Sequence, residues 1–380
     1  MSIYLVTFLL AISIIKFSEL ITNISIKKII VIIAIVLPSI LAGMRSINVG
    51  TDILYYGLPA YKMSFVSDLT SILNHYKMIG DNSTIFYTLW YYSSRIFQSL
   101  FGPQFVLEFL IELNVILSLI KYGRKTSKFR LWQGMAVYYF IFYSYSLNLM
   151  KQSLAMSMVL LIFQYFLMEN KKIKYIVGVV LIGMAVHTSA LIAILAVPLK
   201  LIWERQLQKR KSMIHFKATI FILPLVAIAL YKQLIMIIAK VFPRYALYLS
   251  DAYSNGISIK GTLTQVLLLL SIYGVYLFIK MTITVKTQDV SFYESLYLLG
   301  VSLFNFSLIA RNGYRIGLYF IYIGILMIPA VFNGGERKKE LNYTIAKIIR
   351  SLTLLGILVV FWYVSFVMMG INQVIPYSFG

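Results

Sequence analysis

The sequence contains no cysteine, only three histidines and few charged residues. The absence of cysteine excludes disulfide bonds, thiolate nucleophiles and cysteine-based zinc sites. Three histidines in 380 residues also argue against a histidine-rich metal centre. Charged residues make up 13% of the chain, about half of the ~25% that is usual in soluble domains. We therefore expect no metal and no other cofactor, and a chain that does not fold as a soluble domain.

What the chain has in abundance is apolar sequence, with 60% hydrophobic residues and a mean hydropathy of +0.83. Repeated apolar runs predict an all-α polytopic integral membrane protein in which residues 1–380 form a single multi-pass domain. The first run, Ile3 to Ile15, lacks the basic start and the cleavage site of a signal peptide, so we expect it to be retained. The hydropathy pattern predicts about twelve membrane-spanning helices, at roughly 2–22, 28–44, 104–121, 130–147, 149–168, 174–187, 189–203, 217–239, 263–280, 291–309, 316–331 and 346–369.

The aromatic segment 84–101, which carries Arg95 in its middle, decides the predicted topology. If this segment lies along the membrane interface, all strongly basic segments fall on one side, which the positive-inside rule identifies as cytoplasmic. These basic segments are 24–28, 121–130, 169–174, 200–217, 280–289 and the residues from Gly334 onward. Both termini are then outside, and the net charge of +22 reflects topology and attraction to anionic membrane lipids, with no nucleic-acid partner.

This topology predicts two larger extracytoplasmic loops, at 45–103 and 240–262, and places the remaining polar clusters at the outer face. Charges near the membrane are costly and are commonly retained for function. Five clusters share this face: Arg45 with Asp52; Lys151 with Gln152; His187; Arg244 with Tyr245 and Tyr248; and Arg311 with Tyr314 and Arg315.

The residue types in these clusters favour chemistry on a lipid-linked sugar diphosphate. Arginine and lysine side chains bind phosphate oxygens and stabilise a departing diphosphate. Tyrosine rings stack on sugars at the headgroup level, and a carboxylate or imidazole can take a proton from an attacking hydroxyl. We therefore predict glycosyl transfer with His187 and Asp52 as catalytic candidates and the other nine residues as substrate-binding candidates.

Simpler interpretations exist for the same residues. Arg45 also fits a role as an interfacial anchor, Asp52 a role in helix capping, and His187 a hinge between two short helices. The arginines Arg244 and Arg311 have an alternative role as anchors of the outer loops.

Two carboxylates inside the third predicted helix leave a further question open. Glu108 and Glu112 are four residues apart and therefore share one helix face. They indicate either a structural pairing with an arginine such as Arg95 or a proton relay within the membrane.

The run MRSINVGTDILYY, followed in order by MKQSLAMS, AVHTSAL, PRYALY and RNGYR, resembles the EpsG family of Wzy-like polysaccharide repeat-unit polymerases. The resemblance extends from about residue 44 to 320. Position by position, the family's functional residues fall on Arg45, Gly50-Thr51-Asp52, Lys151-Gln152, His187 with Ser189, Arg244 and Arg311. Lys151 departs from the family's arginine, which keeps the charge but loses the planar fork that binds phosphate bidentately.

The resemblance implies a multi-pass enzyme of the bacterial cytoplasmic (inner) membrane that needs no nucleotide sugar and no metal. Such an enzyme joins undecaprenyl-diphosphate-linked oligosaccharide units outside the cytoplasm to make capsule, exopolysaccharide or O-antigen. The implied partners are the lipid-linked oligosaccharide, membrane lipids, a chain-length regulator and a flippase. Two other functions stay open: a flippase or transporter of the same lipid-linked unit, and a lipid-dependent glycosyltransferase or ligase that adds a single unit.

Overall fold

The computed structural model describes residues 1–124, 131–209, 213–231, 233, 236, 237, 240, 258–281, 289–310, 312–332 and 341–380. Within these residues the regular secondary structure is helical, apart from one isolated antiparallel bridge between Arg45 and Phe379. The chain forms two compact units. The first contains Met1–Leu191 and the described residues from Ile328 to the C-terminus, and the second contains Ile192–Met327.

The helices of the N-terminal half follow one another with short connections. They are α1 (Ser2–Ser18), α2 (Ile24–Gly43), a π-helix (Ile53–Gly57), α3 (Leu58–Val66), α4 (Leu69–Met78), α5 (Thr84–Phe97), α6 (Phe101–Gly123), α7 (Leu131–Val137), a second π-helix (Tyr138–Phe142), α8 (Tyr143–Asn148), α9 (Met150–Tyr165), a 3₁₀ turn (Leu167–Glu169) and α10 (Lys172–Ala185).

The described helices of the C-terminal half continue this pattern. They are a 3₁₀ helix (Thr188–Leu195), α11 (Ala196–Gln208), α12 (Met213–Ala229), α13 (Ile259–Met281), α14 (Asp289–Phe304), a 3₁₀ helix (Asn305–Leu308), α15 (Tyr314–Ile321), α16 (Gly324–Phe332), α17 (Leu341–Trp362), a π-helix (Tyr363–Met368) and a 3₁₀ turn (Ile371–Gln373).

Six described segments are long and apolar enough to cross a membrane, which identifies a multi-pass membrane protein. They are Ile24–Gly43, Phe101–Gly123, Met150–Glu169, Ile259–Met281, Tyr314–Val331 and Ile348–Met368. The predicted number of about twelve crossings is not confirmed. Two of the predicted crossings correspond to apolar helices that are shorter than the six spans, Ser2–Ser18 and Met213–Ala229, with 17 residues each.

The first unit has two chemically different ends, and α6 runs from one to the other. Near its start Gln104 accepts a hydrogen bond from Arg45, and near its end Lys121 pairs with Glu169. We call these the Arg45 end and the Lys121 end. With 23 residues, α6 is about 34 Å long at 1.5 Å per residue, enough to cross the apolar core of a bilayer. The Lys121 end carries residues of two predicted cytoplasmic segments.

The predicted outer loop 45–103 is mostly helical. Asp68 caps α4 by accepting a hydrogen bond from the Ser71 backbone N–H at 2.9 Å. Helix α5 is only 14 residues long and ends at Gln98 in the left-handed region, so it is not among the candidate spans. At its start the Thr84 hydroxyl donates to the Ala185 carbonyl at the end of α10, at 3.4 Å. An interfacial position for 84–101 stays a prediction, and most of the second predicted loop, 240–262, lies outside the described residues.

The C-terminal segment lies against the chain that follows α2. The Ser46 N–H donates to the Ser378 carbonyl at 2.8 Å, and the Gly380 N–H donates to the Met44 carbonyl at 2.9 Å. Farther along, the Gly50 N–H donates to the Gln373 carbonyl at 3.0 Å. The residues from Gln373 to Gly380 therefore form part of the Arg45 end.

Candidate functional site

The motif Gly50-Thr51-Asp52 forms a turn that only glycine fits at its first position. Gly50 has φ +83°, and a Cβ atom placed there would lie 2.7 Å from the Leu147 carbonyl oxygen. Positive φ is strained for residues with a side chain. The turn can therefore approach the end of α8 closely because it begins with glycine.

Asn148 holds the rest of this turn, although it stands in no motif that points to a function. Its Oδ1 atom accepts hydrogen bonds from the Thr51 N–H at 2.7 Å, the Thr51 hydroxyl at 2.8 Å and the Asp52 N–H at 3.4 Å. Its amide nitrogen donates to Asn372 Oδ1 at 3.2 Å. Asp52 is half-buried at the N-cap of the first π-helix, and its side chain makes no capping hydrogen bond.

Arg45 is buried and connects three segments of the first unit. Its guanidinium donates to Gln104 Oε1, to the Leu147 carbonyl at 2.5 Å and to Met150 Sδ at 3.3 Å. Burial lowers the pKa of Arg45, but an arginine pKa is high enough that the group stays charged. The buried position differs from that of an interfacial anchor. Contact of Arg45 with substrate stays a prediction.

Lys151 lies at the start of α9 in a cage of aromatic rings. Its ammonium donates to the Asp81 carboxylate and to the Tyr87 hydroxyl, the latter at 2.6 Å. The Nζ atom is 3.9 Å from the centroid of the Tyr56 ring, 4.5 Å from that of Tyr87 and 5.3 Å from that of Phe86. We call Lys151, Asp81, Tyr56, Phe86 and Tyr87 the Lys151 cluster. The neighbouring Gln152 is buried on the same helix.

Asp81 is the member of this cluster that sequence reasoning missed. One carboxylate oxygen accepts from the Ser83 N–H at 3.2 Å and the Ser83 hydroxyl at 2.6 Å. The other accepts from Lys151 and from the Tyr87 hydroxyl, the latter at 2.8 Å. Burial alone would raise the pKa of Asp81, but the hydrogen bonds from Lys151, Ser83 and Tyr87 outweigh it and hold this pKa below its ordinary value. Asp81 is therefore ionised at neutral pH.

The tyrosines around Asp81 are neutral. The rings of Tyr76 and Tyr87 stack with centroids 3.7 Å apart. Burial and the charge of Asp81 raise the pKa of Tyr76 to about 12, and the same two causes raise the pKa of Tyr87 far above its ordinary value. The two hydroxyls therefore keep their protons at physiological pH.

Asp52 and His187 belong to the same end of the first unit. Asp52 is close enough to Lys151 for an electrostatic interaction. His187 follows α10. The Ala185 carbonyl at the end of α10 accepts a hydrogen bond from Thr84, which begins α5 and is three residues after Asp81. The turn Gly50–Asp52, the Lys151 cluster and the segment of His187 therefore lie at the same end of the first unit. Their sharing of one substrate site stays a prediction.

The surroundings of His187 select one tautomer of its ring. Nδ1 lies 2.6 Å from the Ser189 hydroxyl and 3.3 Å from the Ser189 backbone nitrogen. A backbone N–H can only donate, so Nδ1 acts as the acceptor and Nε2 carries the proton of the neutral ring. His187 therefore presents an N–H donor at Nε2.

Glu108 and Glu112 bind hydroxyl groups, and Arg95 is not their partner. Glu108 accepts from the hydroxyls of Tyr138 and Ser146, and Glu112 accepts from the Tyr139 hydroxyl at 2.8 Å. Both tyrosines belong to the second π-helix.

Arg95 is engaged elsewhere in the first unit. It donates to the Ser64 carbonyl at 2.8 Å and packs over the Tyr91 ring, with 4.7 Å between the guanidinium carbon and the ring centroid. The pairing of Arg95 with the two glutamates, considered from the sequence, is therefore not formed.

The remaining predicted residues belong to the C-terminal half of the chain. Tyr314 and Arg315 begin α15, and the Tyr314 ring packs against Phe304 with centroids 5.5 Å apart. Arg244, Tyr245, Tyr248 and Arg311 lie outside the described residues. Their proposed contacts with substrate stay predictions, as does the absence of a metal cofactor.

The fold and the site define a class of protein: an all-helical multi-pass membrane protein with a polar cluster at one end of its first unit. A model of the EpsG family matches residues 28–379, nearly the whole chain. The chain belongs to the EpsG family, whose members are Wzy-like polymerases. Membership indicates a membrane protein of polysaccharide biosynthesis. No curated protein and no solved structure matches the chain.

Proposed function

We propose that this protein polymerises oligosaccharide repeat units carried on undecaprenyl diphosphate, at the extracytoplasmic face of a bacterial cytoplasmic membrane. Family membership supports the reaction class. The observation that carries the proposal is the gathering of Asp52, Lys151, Asp81 and the segment of His187 at the Arg45 end. The opposite end of the same helices carries Lys121 and Lys171, which the positive-inside rule assigns to the cytoplasm.

The proposed reaction is a displacement at the anomeric carbon of the growing glycan. A hydroxyl oxygen of the incoming unit forms a bond to that carbon, and the bond from the carbon to the diphosphate oxygen breaks. The electron pair leaves with the lipid diphosphate, and the hydroxyl proton passes to a base. The protein has to accept this proton and to stabilise the negative charge that develops on the diphosphate.

Asp52 is the better of the two candidate bases. A carboxylate accepts a proton directly, whereas the Nδ1 lone pair of His187 is already used by Ser189. The Nε2–H of His187 is instead suited to donate a hydrogen bond to a sugar or phosphate oxygen. We therefore assign deprotonation of the acceptor hydroxyl to Asp52 and orientation of the substrate to His187.

The diphosphate is assigned to the cationic residues predicted from the sequence. The proposed ligands of the leaving group are three arginines and the tyrosines near them in the sequence: Arg244, Arg311 and Arg315, with Tyr245, Tyr248 and Tyr314. Arg45 and Lys151 also remain candidates. In the structure both are buried and bonded to protein groups, so each would have to release a partner before contacting a phosphate.

Complementation of a strain that lacks this protein tests the proposal. With the wild-type chain we expect a ladder of polymer lengths, and without it single repeat units at the cell surface. Asp52→Asn should reduce polymer formation by at least about 100-fold, because general-base catalysis is typically worth 10²–10⁴. The matched control is Asp68→Asn, which changes an exposed capping aspartate and should leave a full ladder.

Each other outcome contradicts the proposal in a different way. Repeat units retained inside the deletion strain would indicate a flippase. One added unit without a ladder would indicate a single-addition transferase or ligase. A full ladder with Asp52→Asn would exclude Asp52 as the base.

A further inference from the structure

We propose that Tyr56 is a sugar-binding residue, and that the Lys151 cluster holds its ring in place so that a pyranose ring can stack on it. The inference rests on the proposed function, because it assigns the glycan of the lipid-linked unit to this residue. It also gives Lys151 a role that differs from direct contact with phosphate.

The position of Tyr56 combines a fixed ring with exposure. The Lys151 ammonium lies 3.9 Å from the ring centroid, so one face of the ring is covered by a cation. The residue is nevertheless 37% exposed. In contrast, Phe86 and Tyr87, the other two rings around the ammonium, are fully buried. Among the three aromatic residues of the Lys151 cluster, Tyr56 is therefore the one that is exposed at the protein surface.

The hydrogen bonds of Lys151 explain why the ring is held firmly. The ammonium has three N–H donors; the Asp81 carboxylate and the Tyr87 hydroxyl accept from it, and the Tyr56 ring lies over it. Asp81 is in turn bound by Ser83 and Tyr87. Lysine is a flexible side chain, and these contacts restrict it. A ring that is ordered before binding loses less conformational entropy when a ligand stacks on it.

The place of Tyr56 in the sequence connects it to the proposed base. Asp52 precedes Tyr56 by four residues at the start of the first π-helix, and residues four apart on a helix lie on the same face. A sugar that stacks on Tyr56 would thus lie on the Asp52 side of this helix. Such a position suits the acceptor sugar, whose hydroxyl has to reach the base.

A sugar ring is the ligand chemistry that fits this combination. Pyranoses have an apolar face of C–H groups, which packs on an aromatic ring, and a rim of hydroxyl groups, which bind carboxylates and N–H donors. Tyr56 supplies the aromatic ring and Asp52 supplies the carboxylate. Trp90 supports the backbone next to Tyr56, because the Trp90 Nε1–H donates to the Gly57 carbonyl at 2.9 Å.

The test measures binding of two separate probes to the full-length protein in nanodiscs. The first probe is the repeat-unit oligosaccharide released by mild acid from the lipid-linked pool of the producing strain. It carries neither lipid nor diphosphate. The second probe is undecaprenyl diphosphate without sugar. Saturation-transfer NMR measures weak binding of the first probe. Competition with the full lipid-linked unit measures binding of the second probe.

We expect Tyr56→Leu to weaken binding of the oligosaccharide about tenfold, the size typical of an aromatic contact, and to leave binding of undecaprenyl diphosphate unchanged. Tyr56→Phe keeps the ring and should bind like the wild type. The matched control is Tyr92→Leu, which removes another tyrosine that is 54% exposed but lies outside the cluster.

Lys151→Met and Asp81→Asn test the positioning step, since neither removes the Tyr56 ring. Both should weaken oligosaccharide binding, by less than Tyr56→Leu does, and should raise the acceptor KM more than they lower kcat. Lys151→Arg keeps a cation over the ring and should restore most of the affinity. Wild-type oligosaccharide affinity in Lys151→Met would overturn this step.

Equal oligosaccharide affinity in Tyr56→Leu and the wild type would overturn the proposal as a whole. Loss of both probes in Tyr56→Leu would also overturn it, because the change would then have disturbed the site in general. Failure of the proposed function has a different signature. In that case the wild-type chain restores no ladder to the deletion strain, whatever the oligosaccharide does in the binding measurement.

Discussion

Two clusters of ion-paired side chains, one in each unit, are built in opposite ways. In the Lys151 cluster one cation is held by one carboxylate and three aromatic rings. In the second unit one carboxylate, Glu294, accepts from two cations, Lys217 and Lys280, and from the Tyr276 hydroxyl. We call these four residues the Glu294 cluster.

The two clusters differ in which groups reach the surface: in the Glu294 cluster these are the two lysines, whose side chains are 20% and 31% exposed. Glu294 is fully buried on α14, and its partners come from α12 and α13, so the cluster joins three long helices. Asp81 lies in a short connection, and its side chain is 22% exposed. Charge neutralisation is common to both, because an unpaired buried charge is costly. Only the Lys151 cluster reaches the surface through an aromatic ring, which suits binding rather than helix assembly.

The largest effect expected from this comparison is that of Glu294→Ala on stability. Removing the carboxylate leaves Lys217 and Lys280 without their shared partner, and breaking a buried ion pair typically costs about 3–5 kcal/mol. We expect a strong loss of folded protein in detergent, measured by thermal unfolding. The control is Glu204→Ala, which removes a partly exposed carboxylate 3.8 Å from Lys200. Equal unfolding temperatures for the two variants would show that the Glu294 cluster does not hold the helices together.

A somewhat smaller effect is expected from Gly50→Ala. The substitution adds a Cβ 2.7 Å from the Leu147 carbonyl at φ +83°, so strain and overlap combine to about 3 kcal/mol. Gly80→Ala is a matched control, because Gly80 has the same φ of +83° but no atom within 4 Å of the added Cβ. Strain alone should cost about 1 kcal/mol there. Similar losses at both positions would mean that the contact with α8 does not matter.

Lys151→Ala should have a moderate effect on stability and a larger one on polymer formation. Asp81 keeps its bonds to Ser83 and Tyr87 and is partly exposed, so we expect a loss of about 2 kcal/mol. Polymer formation depends in addition on the order of Tyr56 and should fall by more than the amount of folded protein does. The measurement is the polymer ladder normalised to folded protein. A ladder that falls only in proportion to folded protein would give the Lys151 cluster the same structural role as the Glu294 cluster.

The comparison also shows which features the sequence determines. Apolar runs and basic segments were sufficient for the helical membrane class, because both follow from transfer energies of single residues. Gly50 and Lys151 were visible in the sequence because each interrupts the apolar pattern near the end of a predicted helix. The order of these motifs along the chain indicated the family, and the family is confirmed over residues 28–379.

What the sequence did not reveal are the partners. Asp81 lies in a turn of the chain with no apolar pattern around it, and its cation is seventy residues away. Asn148 and Asn372 are 224 positions apart, and neither stands in a motif. Long-range hydrogen bonds of this kind depend on how helices pack, which a hydropathy profile does not contain. The one available signal was scarcity, since the chain has only 13 acidic residues.

The smallest effect expected concerns the pH dependence of stability. The pKa of Asp81 is lower in the folded protein than in the unfolded chain, so on acidification the unfolded chain takes up the proton first. The contribution of this carboxylate is therefore fully present above the ordinary aspartate pKa of about 4 and is lost as pH falls through the lower, folded value. Melting temperatures of the wild type and Asp81→Asn should converge below about pH 4 and separate above it. Lys151→Met should shift the wild-type transition toward higher pH, because Lys151 provides the strongest of the bonds that lower this pKa. Parallel curves for the wild type and Asp81→Asn at all pH values would show that Asp81 contributes no pH-dependent stability, unlike a carboxylate held by a buried cation.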